Sequence, residues 1–328
     1  MLKFTKTAIA LATVASLPLT ASAFEPSKGV ECIAPSDPGG GWDFTCRTGG
    51  EALSNLGLVP GNVQTVNMAG AGGGVGYSHV VSKREGDENL IIAASTAVPT
   101  RLAQDQFPGM DMDMVRWIGT VGSDYGVIAV PDDSPYQNLG ELMDAIKDDT
   151  RAVKFAGASA KGGWDHLKAL IAAKAAGVET LPQIPYLSYN NGGEALTQVV
   201  GGHLDAFTGD ISEARGFWES GDLRILAILA PERLPGEFND IPTAREQGID
   251  AIGPNWRGFY MPGGTSDEAY QYWVDAIETL YASDEWKQVM ENNGLMPFHY
   301  TGQEFTDFMS QQVEDIRELS VELGLLSE

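Results

Sequence analysis

Gly40-Gly41-Trp42-Asp43 recurs as Gly162-Gly163-Trp164-Asp165, and this duplicated stretch decides how the chain reads. Each copy follows an apolar run that predicts a strand, over 30–35 and 153–156, and each precedes an amphipathic helical pattern. Both are glycine-rich turns from a strand into a helix N-terminus. Such a turn leaves backbone N–H groups free and lies at the positive end of the helix dipole, so it favours an anion. Two matched turns, about one domain length apart, imply two lobes that present their loops to one ligand in the cleft between them.

Outward from the loops, strands are predicted over 63–67, 90–94, 115–121, 126–130, 184–189, 204–208, 223–230 and 256–261, with helical patterns between most of them. Strands alternating with helices indicate an α/β fold, each lobe a mixed, mostly parallel sheet flanked by helices. The close pair 115–121 and 126–130 suits a crossing between lobes, and 256–261 reads as the return. Lobe 1 is then discontinuous, 24–124 plus 252–328, and lobe 2 is 125–251. Thr265-x-x-Glu268 and Thr301-x-x-Glu304 read as capping boxes opening two late helices. Phe305, Met309, Val313, Ile316 and Leu323 form a core stripe on the last one.

Residues 1–23 carry the marks of a cleaved export signal: Lys3 and Lys6, an apolar run, then Ala21-Ser22-Ala23. The run is too short to span a bilayer, so the expected product is a soluble periplasmic chain beginning near Phe24. The formal charge is −24, from 45 acidic against 21 basic residues. That excludes nucleic acid and anionic membrane surfaces as partners but not a small anion held by backbone N–H groups. Two cysteines, Cys32 and Cys46, flank the first loop. Either they pair, closing a loop of about 15 residues worth about 3 kcal/mol, or they are two buried thiols.

Enzyme signatures are absent. Gly70-x-Gly72-x-x-Val75 lacks the third glycine of a dinucleotide fingerprint, no glycine loop carries a Walker lysine, and Gly157-Ala158-Ser159-Ala160-Lys161 is not a nucleophile elbow. His79, His166, His203 and His299 have no metal-ligand spacing. No cofactor and no metal are expected. The loops read as binding elements, with Gly40, Gly41, Gly162 and Gly163 admitting a ligand close to the backbone. Asp43 and Asp165 are expected to satisfy backbone donors in their own helix's first turn. Trp42 and Trp164 either wall the cleft or pack beneath the loops. Lys161 either pairs with the ligand or is a surface lysine, and His166 either touches the ligand or supports the loop. Ser95, Thr96, Ser159, Asn190, Thr208 and Asp210 fall where a strand meets its following loop, the edge at which open sheets bind ligands. Gly72, in the run Gly70-Ala71-Gly72-Gly73-Gly74, joins this candidate set.

Longer stretches carry a resemblance. Residues 30–47 read VECIAPSDPGGGWDFTCR, 67–76 NMAGAGGGVG, and 191–205 NGGEALTQVVGGHLD; Ile241-Pro242-Thr243, Trp256-Arg257-Gly258 and Pro262-Gly263-Gly264 follow. Over nearly the whole mature chain this resembles the periplasmic receptors of the tripartite tricarboxylate transporter family, the TctC or Bug proteins. The resemblance implies a two-lobed Venus-flytrap fold, type II-like. It implies ligand loops running from Pro38 and Gly39 to Asp43 and from Ala158, Ser159 and Ala160 to His166. It also implies a small di- or tricarboxylate ligand and delivery to a two-component membrane permease by a monomeric receptor. Two rival functions are a ligand-presenting partner of a membrane sensor kinase and a periplasmic enzyme on the same fold.

Overall fold

The first glycine turn stands as expected in the computed structural model, which describes residues 24–327; the export-signal reading falls on residues 1–23, outside them. β1 (Glu31–Ala34) leads through the turn into α1 (Gly41–Asn55). β2 (Gln64–Asn67), α2 (Gly74–Lys83), β3 (Leu90–Ser95) and α3 (Ala97–Ala103) follow, with β1 parallel to both β2 and β3. β3 is buried along its whole length, as a parallel strand is when helices cover both faces. Cys32 and Cys46 form a disulfide that ties β1 to α1.

β4 (Val115–Pro131) is one continuous strand where the sequence predicts two. Beyond it come α4 (Leu139–Asp148), β5 (Phe155–Gly157), α5 (Trp164–Ala175), β6 (Tyr186–Ser188), α6 (Gly192–Val200), β7 (Ala206–Asp210), α7 (Ile211–Glu219) and β8 (Leu223–Ile228). β9 (Pro254–Pro262), α8 (Asp267–Ala282), α9 (Asp284–Asn293) and α10 (Gly302–Glu322) close the chain. Ser123 and Asp124 break the apolar pattern of β4, yet its backbone stays paired there. β9 runs antiparallel to it from Val115 to Tyr125, while β7 and β8 take up its later residues from Gly126.

Among the described residues nine strands make one curled sheet in the order β2-β1-β3-β9-β4-β7-β5-β6, with β8 also on β4. The parallel set β2-β1-β3 and the parallel set β7-β5-β6 stand at opposite ends, each with its own helices. The result is the two-lobed α/β binding-protein architecture the sequence implies. Trp273 and Ile277 of α8 cover one face of the first set, and Phe305 and Met309 of α10 the other. Further along α10, Ile316 and Leu323 join the core that holds α4 and α5, so that helix packs on both lobes.

Neither predicted capping box forms. Ser266, not Thr265, caps α8 by accepting the Ala269 N–H; the Thr265 hydroxyl donates instead to the Pro262 carbonyl. Thr301 stands at the N-cap of α10, but its hydroxyl donates to Glu278. At α8 one local contact replaces another, whereas at α10 Glu278, brought near by tertiary packing, takes the hydroxyl from its cap.

Candidate functional site

The strand ends of both lobes meet across a cleft, and the helices that follow them point their N-termini into it. The cleft holds a cavity of about 270 Å³. Lobe 1 contributes Gly40, Gly41, Trp42, Gly72 and Ser95, and lobe 2 contributes Ser159, Ala160, Gly163, Trp164, Asn190 and Asp210. The two Gly-Gly-Trp-Asp turns thus open on one space, and both tryptophans wall it. Gly41 lets the loop pass close to Arg257, since a Cβ there would lie 2.3 Å from Nη1 and displace a guanidinium held by Asp124 and Asp210.

The other candidates either lie outside the cavity or support the loops that line it. Pro38, Gly39 and Lys161 are exposed and line nothing in the cavity. Asp43 folds back beneath its loop, accepting from Gly39 N–H at 2.9 Å, Asn67 at 2.8 Å and Arg47 at 2.9 Å. Burial raises its pKa, but these contacts outweigh burial and hold it below the usual carboxylate range. Asp165 does the same for the second loop, accepting the Ala158 and Ser159 N–H groups at 3.0 and 2.9 Å. Both aspartates therefore serve loop donors, not first-turn donors as the sequence suggested. The Thr96 hydroxyl donates to the Pro254 carbonyl and that of Thr208 to the Asp165 carbonyl. His166 accepts the Gly162 N–H on Nδ1 at 3.0 Å. Burial, reinforced by the charge of Lys161, pushes its pKa down to about 4, so the ring is neutral and braces the loop.

Sequence reasoning missed a buried charge cluster below the cavity. Arg257 on β9 places Nη2 2.9 Å from both Asp124 on β4 and Asp210 at the end of β7. Lys168, wholly buried on α5, lies 2.6 Å from Asp210 and 2.9 Å from Asp165. Asn255 joins in, donating to Asp210 at 2.6 Å while its Oδ1 accepts the Thr96 N–H. Burial raises the pKa of Asp210, but Lys168 and Arg257 pull it below normal. Buried ion pairs add little net stability; this one fixes four segments from both lobes around the cavity floor. The signal was present: Asp165 and Lys168 sit three apart on one helix face, and Asp124 is a lone acid within an apolar strand.

Arg101, also missed, is a buried cation in the cavity wall. It projects from α3, is 7% exposed and lines the cavity. Its Nη atoms donate to Gln104, Gln106 and the Lys161 carbonyl, and among the described residues no carboxylate lies within ion-pair distance. Burial lowers its pKa. Among the described residues, Ser36 Oγ, Trp42 Nε1, Arg101 Nε, Trp164 Nε1 and Arg257 Nε, all of cavity-lining residues, are buried without a hydrogen-bond partner, as is His166 Nε2 behind the second loop. Buried polar atoms left unpaired are rare in folded proteins, so their concentration here marks a site shaped for an acceptor-rich anion.

The family model described as the tripartite tricarboxylate transporter family receptor matches residues 58–325. The chain is 25% identical over 313 residues to the protein BugT of Bordetella pertussis, covering 93% of this chain and 92% of that one. Two solved structures share its fold. One is Rpa4515 of R. palustris with adipate, at TM-score 0.81 and 19% identity, covering 90% of this chain and 97% of that one. The other is MatC of Rhodopseudomonas palustris with bound malate, at TM-score 0.76 and 20% identity, covering 89% and 98%.

Proposed function

Because the chain belongs to the tripartite tricarboxylate transporter family of receptors, we propose that it captures a small di- or tricarboxylate in the interlobe cleft. It then passes the ligand to a two-component membrane permease from the periplasmic side, after export directed by residues 1–23. The Cys32–Cys46 disulfide accords with an oxidising compartment. The observation that carries the carboxylate reading is Arg101, a buried guanidinium in the cavity wall with no acid to pair with among the described residues. Matched donors from Trp42 and Trp164 and the N-termini of α1 and α5 supply the rest. Malate and adipate, held by two proteins of this fold, are guests of the same chemistry. In this reading residues 24–124 plus 252–328 and residues 125–251 are the two lobes that close on the ligand. Ser95, Ser159 and Asn190 add side-chain contacts, and Gly40, Gly41, Gly72, Ala160 and Gly163 add backbone ones.

The test is a thermal-shift and calorimetric screen over citrate, malate, succinate and adipate, with amino acids and monocarboxylates beside them. A true ligand at a hundredfold excess over Kd stabilises the fold by about 2.7 kcal/mol. Arg101→Gln lowers its affinity at least about tenfold, the worth of a charge-assisted hydrogen bond. No stabilisation by any of the four carboxylates would sink the reading.

A further inference from the structure

The floor of the cavity holds more carboxylate than its own cations balance. Asp124, Asp165 and Asp210 share two partners, Lys168 and Arg257. Glu213, in the first turn of α7, lines the same cavity. Among the described residues it has no cation within ion-pair distance, and the one donor in reach is the Asp210 N–H, 3.4 Å from Oε2. Its carboxyl lies against the start of α6, where a Cβ on Gly192 would come within 2.5 Å. No N–H of α6 donates to it; the cap of that helix is the Asn191 side chain, which takes the Glu194 N–H.

With every acid ionised, four carboxylates around the cavity face three cations, Lys168, Arg257 and Arg101. An entering anion would meet surplus negative charge in a poorly solvated space. A single proton removes that surplus, and the carboxyl without a cation is where it belongs. Burial, then Asp210 and Asp165, push the Glu213 acid up to about 8, against weaker pulls from Arg257 and Lys168. Asp124 is also pushed upward, by burial and then by Asp210, but it stays bonded to Arg257 and Ser212.

We propose that Glu213 meets the ligand as the neutral acid and donates its O–H to a carboxylate oxygen, so that this receptor binds its anion together with one proton. The inference rests on the carboxylate reading above. It makes Glu213 a ligand contact whose protonation state gates the site. Below about pH 8 the proton is already in place and affinity is level; above it the proton must come from solvent, and affinity falls toward about tenfold per pH unit.

The test titrates the full chain with citrate, malate, succinate and adipate between pH 7 and pH 9.5, where all four are ionised. Calorimetry in buffers of different ionisation enthalpy counts the protons exchanged. The expected result is uptake approaching one proton per ligand at pH 9 and the affinity slope just given. The Glu213→Gln receptor, whatever its affinity at pH 7, loses the slope. Flat affinity with no proton uptake overturns the inference, as does a slope that survives in Glu213→Gln. Affinity that rises with pH also overturns it, by showing an ionised Glu213 facing a cationic group. Absence of binding by all four probes defeats the carboxylate reading itself, whereas binding without proton uptake defeats this inference alone.

Discussion

His166 shows how a single side chain links the site to the stability of the fold. Its ring is neutral in the folded chain, with a pKa near 4, while an unfolded histidine titrates near 6.5. The unfolded state therefore gains a proton first as pH falls, and stability is lost from about pH 6.5 down toward pH 4. Between pH 7 and pH 5 that loss is about 2 kcal/mol. Unfolding free energies from urea titrations at the two pH values should differ by that much more in the wild type than in His166→Gln; equal differences would contradict the buried neutral ring. Residues of this kind mark the limit of what the sequence reveals about the site. The duplicated Gly-Gly-Trp-Asp turns were legible because glycine, tryptophan and a following helix carry their meaning locally. Arg101, Arg257 and Glu213 were not, because they reach the cavity from α3, β9 and α7, and only the fold brings those elements together. His166 and Thr208 do lie beside the loops, but the structure turns both away from the cavity.

At the level of elements, α1 depends on two close contacts. The disulfide to β1 holds its start, and at Gly49 an added Cβ would come 2.7 Å from the Phe259 ring. Gly49→Ala pushes the helix off the sheet and should cost about 1–3 kcal/mol in chemical denaturation. Reducing the disulfide should lower stability by about 3 kcal/mol. It should also weaken carboxylate binding, since the bridge braces the first loop. Retention of full stability by either perturbed protein would show that α1 is held by other contacts. Most elements were readable from periodicity. The sequence reads β4 as two strands, 115–121 and 126–130, because the apolar run lapses around Ser123 and Asp124. In the fold their polar groups are absorbed by Arg257 and by backbone contacts from Met296, so the strand runs on.

For the molecule as a whole, the cleft is clasped by α3. Arg101 donates to the Lys161 carbonyl, and Gln104 donates to the Gly162 carbonyl at 2.7 Å and to Ser320 at 3.0 Å. In the proposed two-lobe reading the contacts to Lys161 and Gly162 cross the cleft while Ser320 anchors Gln104 within its own lobe, so the first two are expected to favour the closed form whether or not a ligand is present. Gln104→Leu removes one clasp and also the side-chain oxygen to which Arg101 donates at 3.2 Å. It should shift the free protein toward the open form, seen as a larger radius of gyration in solution scattering, and weaken carboxylate binding by roughly tenfold. An unchanged radius and affinity would remove the clasp from the account. β4 imposes a different constraint. Since it supplies hydrogen bonds to β9 on one side of Gly126 and to β7 and β8 on the other, severing the chain near Tyr125 would leave each fragment with a ragged, unpaired edge. The twin loops invite the thought that the halves are interchangeable building blocks. This shared strand makes them inseparable, and a chimera exchanging one half for a relative's must match its splice along β4 residue by residue.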